Sequence, residues 1–60
     1  MKTSAMIAEL TAAGCYKIRE GANHEIWYSP ITGNRFPLSR HGSKELASGT
    51  ERAIRKQAGI

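Results

Sequence analysis

Apolar residues recur at helical spacing near the start of the chain: Met6, Ile7, Leu10 and Ala13 share one face, and Gly14 follows as a stop. Thr3 or Ser4 can cap this helix, although neither has Glu or Gln three places on to complete a capping box. From Tyr16 the period changes to two. Tyr16 and Ile18 alternate with Lys17 and Arg19 as far as Glu20, which predicts a half-buried strand. Gly21-Ala22-Asn23 predicts a tight turn, since Gly and Asn best tolerate positive φ. Glu25 to Ser29 runs back as a second strand, with Ile26 towards the core and Trp27 on the opposite face of the sheet. A turn over Ser29 to Asn34 leads to a third strand, Arg35 to Leu38, with Phe36 and Leu38 inward. Pro37 has no N–H to donate and suits an edge, which the third strand of a meander is.

Ser39 to Leu46 reads as a polar, basic loop carrying Arg40, His41 and Lys44. Ser48-Gly49-Thr50-Glu51 then has the form of a capping box, with Ser48 as the cap and Glu51 reaching back. Ala53, Ile54 and Ala58 supply a buried stripe, Glu51 precedes Arg55 by four in the favourable order for an ion pair, and Gly59 ends the helix. Arg52, Arg55 and Lys56 share the solvent side. The expected architecture is α+β, one domain over 1–60: a three-stranded antiparallel meander with two helices packed on one face. This α-β-β-β-α order resembles the double-stranded-RNA-binding domain, which reads duplex shape and 2′-hydroxyls.

A chain of sixty residues buries only ~60% of its unfolded surface, so the core is thin and a bound partner adds to its stability. It has no room for a deep small-molecule pocket, which favours a surface site acting on a large ligand. Nine Lys and Arg against five Glu, with no Asp, give a net charge of +4. The sequence pI near 9.7 favours a polyanion. The lone cysteine, Cys15, reads as a small packed hydrophobe in a protein of a reducing compartment. Glu9 interrupts any apolar signal core near the N-terminus, and nothing reaches the length of a membrane span. Both features point to the cytoplasm.

Two histidines, one cysteine and no Asp argue against a structural zinc site and rule out a Ser-His-Asp triad; no glycine-rich phosphate loop is present. What remains is His24, at the junction of a turn and a strand on a basic surface. Such a site suits RNA, which carries its own nucleophile, the 2′-hydroxyl, beside its own electrophile, the phosphate. A histidine can move the proton, and Lys or Arg can meet the developing charge, with no metal or small-molecule cofactor.

Three separated blocks make the resemblance narrower. They are Gly21-Ala22-Asn23-His24 leading into Glu25-Ile26-Trp27-Tyr28, then Pro37-Leu38-Ser39-Arg40-His41-Gly42, then Lys44-Glu45-Leu46 through Gly49-Thr50 to Arg52-Ala53-Ile54-Arg55-Lys56-Gln57-Ala58-Gly59-Ile60. Together they cover nearly the whole chain, which resembles a HicA-type toxin, an mRNA interferase of toxin–antitoxin pairs. Asn23 stands where many members have Ser or His, and Ser39 where the family usually has Pro. The resemblance implies cleavage of mRNA, a HicB-type antitoxin as inhibitor, and His24 as the catalytic residue. On that reading Lys17, Arg19, Arg40 and Lys44 are phosphate-contact candidates. His41 is a supporting candidate, its alternative being packing or capping in the loop. Trp27, on the open face, can stack on a base or serve cross-strand packing or antitoxin binding. Two other function classes remain: a non-catalytic RNA-binding module of the same fold, and a basic domain that only meets an acidic protein. Binding alone needs no titrating group at the turn, so His24 separates them from the nuclease.

Overall fold

In the computed structural model, which describes residues 1–60, α1 spans Thr3–Ala12 and is followed by three strands, β1 (Tyr16–Glu20), β2 (His24–Tyr28) and β3 (Arg35–Ser39). The chain closes with α2 (Ser48–Ala58). The sheet is an antiparallel meander in the order β1-β2-β3, so Pro37 does lie on an edge strand. This is the expected α-β-β-β-α arrangement. Met6 and Leu10 of α1 join Ile54 and Ala58 of α2, and Phe36 and Leu38 of β3, in one buried cluster that also takes in Cys15, Trp27 and Leu46.

Trp27 corrects one expectation. It is 7% exposed and belongs to that cluster, whereas Ile26 faces the other side of the sheet. The register explains why: Trp27 pairs with Phe36 and Glu25 with Leu38, and directly paired residues project to the same side. Once Phe36 and Leu38 face the helices, Trp27 must as well. Of the alternate pairs, Ile26 with Pro37 and Tyr28 with Arg35 project to the side turned away from the helices, while His24 with Ser39, at the end of the sheet, borders Thr50 and Ile54 of α2.

β1 also departs from its pattern. All five of its residues are exposed, Tyr16 and Ile18 among them. It is the edge strand farther from α2, which packs over β3. A bulge between Lys17 and Arg19 inserts Ile18 without a partner, so Arg19 pairs with Ile26 and Glu20 with Glu25. The bulge therefore moves Glu20 to the same side as Glu25 and Lys17.

The helix starts differ from their sequence signatures. Ala47, not Ser48, occupies the extended cap position of α2 and no side chain caps it; Glu51 is turned towards Arg55 instead. Ala53 is exposed, leaving Ile54 and Ala58 as the buried stripe. Likewise α1 is capped by neither Thr3 nor Ser4. The loop after β3 does this work: the Thr3 amide donates to the Lys44 carbonyl and the Ser4 amide to that of Gly42, each at 2.9 Å. Buried Thr3 adds its own hydroxyl to the Lys44 carbonyl at 2.9 Å. The helix stops are as expected, with Gly14 and Gly59 both at positive φ.

Candidate nucleic-acid interface

His24 is the first residue of β2, directly after the β1–β2 turn, and its side chain is exposed. The Gly21 amide donates to the His24 carbonyl at 2.7 Å. No residue of the turn takes a positive φ, which corrects the expected reason for the glycine and asparagine. Gly21 is needed for a different cause: a Cβ there would lie 2.8 Å from the His24 carbonyl oxygen. Across the sheet, His24 pairs with Ser39.

Arg40, the residue after β3, reaches back over this turn. Its Nη1 donates to the Ala22 carbonyl at 3.0 Å and lies 3.4 Å from that of Gly21. The turn presenting His24 is thus held by its own backbone bond, by strand pairing and by the Arg40 guanidinium. Ser39 fixes the start of the same loop, its hydroxyl accepting from the His41 amide at 3.2 Å. His41 itself is exposed.

Beside His24 lies a cleft of about 340 Å³ whose walls include Leu38, Ser39, Lys44, Glu45 and Leu46 from β3 and the loop after it, and Thr50 and Ile54 from α2. Lys44 and His24 therefore share one concavity, which neither Arg40 nor His41 lines. No group of three or more His, Cys or Glu side chains could hold a metal ion.

The charges are sorted unevenly. Each Glu faces a cation: Glu9 and Glu51 meet Arg55 at 2.8 and 3.2 Å, Glu20 and Glu25 meet Lys17 at 2.9 and 3.7 Å, and Glu45 meets the N-terminal ammonium. The Lys17 hydrogen bond holds the Glu20 carboxyl below the usual carboxylate range, and Arg55 does the same for Glu9. Lys17 is correspondingly raised by Glu20. Among the phosphate-contact candidates, Lys17 is thus engaged by two carboxylates on the helix side. Arg19, Arg40 and Lys44 have none, and neither has Arg35 on β3. Trp27 is withdrawn from the open face, its Nε1 donating to Glu25 at 3.1 Å. The aromatics on that face are Tyr16 and Tyr28, whose ring centroids lie 5.5 Å apart.

Sequence patterns did not reveal Arg35 or the tyrosine pair. A register argument could have found them, since Phe36 inward puts Arg35 and its partner Tyr28 outward. The Arg40 clamp left no local signal, because its acceptors are backbone carbonyls 18 and 19 residues away.

No helix is long and apolar enough to cross a membrane. No curated protein and no solved structure matches the chain. A family profile does: that of the HicA toxin of bacterial toxin–antitoxin systems, over residues 4–60. With almost its full length matched, the chain belongs to the HicA toxin family, as the toxin of a toxin–antitoxin system whose partner is an antitoxin.

Proposed function

We propose that this toxin is a metal-independent endoribonuclease that cleaves mRNA in the cytoplasm, with His24 as general acid or base, and that a HicB-type antitoxin inhibits it. The observation that carries this reading is an exposed imidazole on a turn secured from three directions, beside cations with no carboxylate of their own. A histidine with only a surface role needs no such support. The α-β-β-β-α order, which resembles an RNA-binding domain, agrees with it.

The chemistry follows from RNA itself. The 2′-oxygen attacks the adjacent phosphorus, the bond from phosphorus to the 5′-oxygen breaks, and the products are a 2′,3′-cyclic phosphate and a 5′-hydroxyl. One proton leaves the 2′-hydroxyl and one reaches the departing oxygen; on this reading His24 carries out one of these transfers. On the same reading Lys44, which lines the cleft with His24, offsets negative charge gathering on the phosphorane oxygens. Arg19 and Arg40 add attraction for the phosphate backbone, with Lys17 contributing less because Glu20 and Glu25 already occupy it. His41 takes a supporting place in the loop that carries Arg40.

The direct test is purified protein with single-stranded RNA in EDTA, beside His24→Ala. Cleavage by the wild type and roughly 10²–10⁴-fold slower cleavage by the variant are expected, the usual loss for a positioned acid or base. Equal rates would contradict the assignment of His24. Absence of cleavage by either, with RNA binding intact, would favour a binding module.

A further inference from the structure

The face of the sheet turned away from the helices carries no carboxylate. Five Glu residues are available, and the two within the sheet, Glu20 and Glu25, pair with each other and with the Leu38 side of β3. Simple alternation along β1 would have put Glu20 on the same side as Tyr16; the bulge at Ile18 removes it. What the open face keeps is Tyr16 beside Tyr28, half-buried Ile26, the unpaired cations Arg19 and Arg35, and His24 at its end. Tyr16 is 52% exposed.

We infer that this face is a track for single-stranded RNA: Tyr16, its ring tilted 51° to that of Tyr28, is the platform on which a base stacks, Arg19 and Arg35 take the flanking phosphates, and the strand runs along β2 to His24. His24, Ile26 and Tyr28 occupy successive same-side positions of β2, so the platform lies roughly 13 Å from the histidine at about 3.3 Å per residue. That separation places the stacked base a short way along the strand from the scissile phosphate. Aromatic rings interleaved with unpaired guanidinium groups suit exposed bases joined by phosphates. A duplex hides its bases in the stack and offers this platform nothing. The complementarity also weighs against a protein partner with a basic or neutral surface. This inference rests on the nuclease reading, whose substrate it narrows to unpaired RNA.

The test reads binding without cleavage. A labelled 2′-O-methyl oligoribonucleotide of about ten nucleotides, within the footprint range of single-strand binders, is titrated with the protein by fluorescence anisotropy. The combined Tyr16→Ala, Tyr28→Ala variant should bind roughly ten- to a hundredfold more weakly, and the Tyr16→Phe, Tyr28→Phe variant about as well as wild type. Arg19→Ala and Arg35→Ala should each lower the salt slope of binding by about 0.7, the single-strand value for one phosphate. The same sequence as a duplex should compete poorly. Unchanged affinity in the double alanine variant, or a duplex bound as tightly as the single strand, would overturn the inference. So would tyrosine variants that lose the antitoxin while keeping RNA. Should the alanine pair prevent folding, Arg19→Glu with Arg35→Glu leaves the core untouched, and undiminished binding there would be equally fatal. Because the probe cannot be cut, failure of His24 chemistry and failure of this track give different results.

Discussion

Arg40 Nη1 donates to the carbonyl of Ala22 at 3.0 Å, joining residues eighteen positions apart in sequence. The bond ties the loop after β3 to the turn before His24, so a basic side chain in the polar loop acts on the geometry of the candidate site. A guanidinium can fill two roles here, since bonding to backbone carbonyls does not neutralise its positive charge, which also acts on the Glu20 carboxylate.

Removing that clamp should loosen the turn more than it destabilises the protein. For Arg40→Ala, a loss of about 0.5–1.5 kcal/mol is expected, the range for one solvent-accessible hydrogen-bonding group. Thermal melting would register it as a shift of several degrees. The single-turnover cleavage rate should fall further, roughly ten- to a hundredfold, because small displacements of a reacting group are costly. A rate that merely follows the change in folded fraction would show that the clamp does not position His24.

Gly21 offers a second route to the same turn. Its backbone is not in the left-handed region, so a larger residue meets no φ penalty; the obstacle is the His24 carbonyl, 2.8 Å from where a Cβ would sit. Gly21→Ala should push the two backbones apart, weaken the Gly21–His24 hydrogen bond and cost about 1–3 kcal/mol. Amide exchange at Gly21 should quicken, and cleavage should drop alongside it.

Gly59 provides the contrast at the far end of the fold. It sits at φ +79, and an added Cβ would meet Thr32 Cγ2 at 2.8 Å and Ile31 Cγ2 at 2.9 Å. Gly59→Ala should lower stability by about 1–2 kcal/mol from the backbone alone, with more from the clash. At a temperature where the variant is folded, its cleavage rate should match wild type. A matching loss of activity would mean that the α2 terminus communicates with the turn.

These contrasts show what the chain discloses before folding. Helix and strand positions were legible because Met6, Leu10, Phe36 and Leu38 keep their periods, and Gly14 and Gly59 mark the stops. Turn-side residues such as His24 were legible as well, from the break between Gly21 and the β2 pattern. The face assignment of Trp27 was not, since alternation fixes which residues go together but not which set goes inward. The bulge at Ile18 was hidden because it depends on how β1 meets β2, and the cap of α1 because its acceptors come from the loop near Lys44. The family blocks carried His24 and Arg40 as sequence positions; only the fold joins them across Ala22.

The link between the helices should respond to acid. Arg55 bridges Glu9 of α1 and Glu51 of α2, and its hydrogen bond holds the Glu9 carboxyl below the ordinary range. A depressed carboxyl contributes stability above its unfolded value, and the contribution disappears as pH falls through the folded one. Melting temperature should therefore decline on acidification from neutral pH through the carboxylate range, and decline less steeply in Glu9→Gln. High salt should shrink the difference, because the pair is exposed. An identical acid slope in Glu9→Gln would assign the decline to other groups.

Antitoxin binding should raise the stability of this thin-cored toxin by mass action. Co-expression with its antitoxin should yield a co-purifying complex with a higher melting temperature than the free toxin. Toxin expressed alone should arrest growth, and the antitoxin should relieve the arrest. Failure of the two proteins to co-purify would contradict the expected pairing.

The central claim is that RNA supplies the nucleophile and His24 moves the proton. One measurement addresses it most directly: single-turnover cleavage, in EDTA, of an RNA whose only change is a 2′-deoxy sugar at the cut site. The account predicts normal binding, no cut at that position, and 2′,3′-cyclic phosphate ends at the same position in the all-ribo substrate. Cleavage of the deoxy substrate at an undiminished rate would contradict it, whatever His24 proved to do.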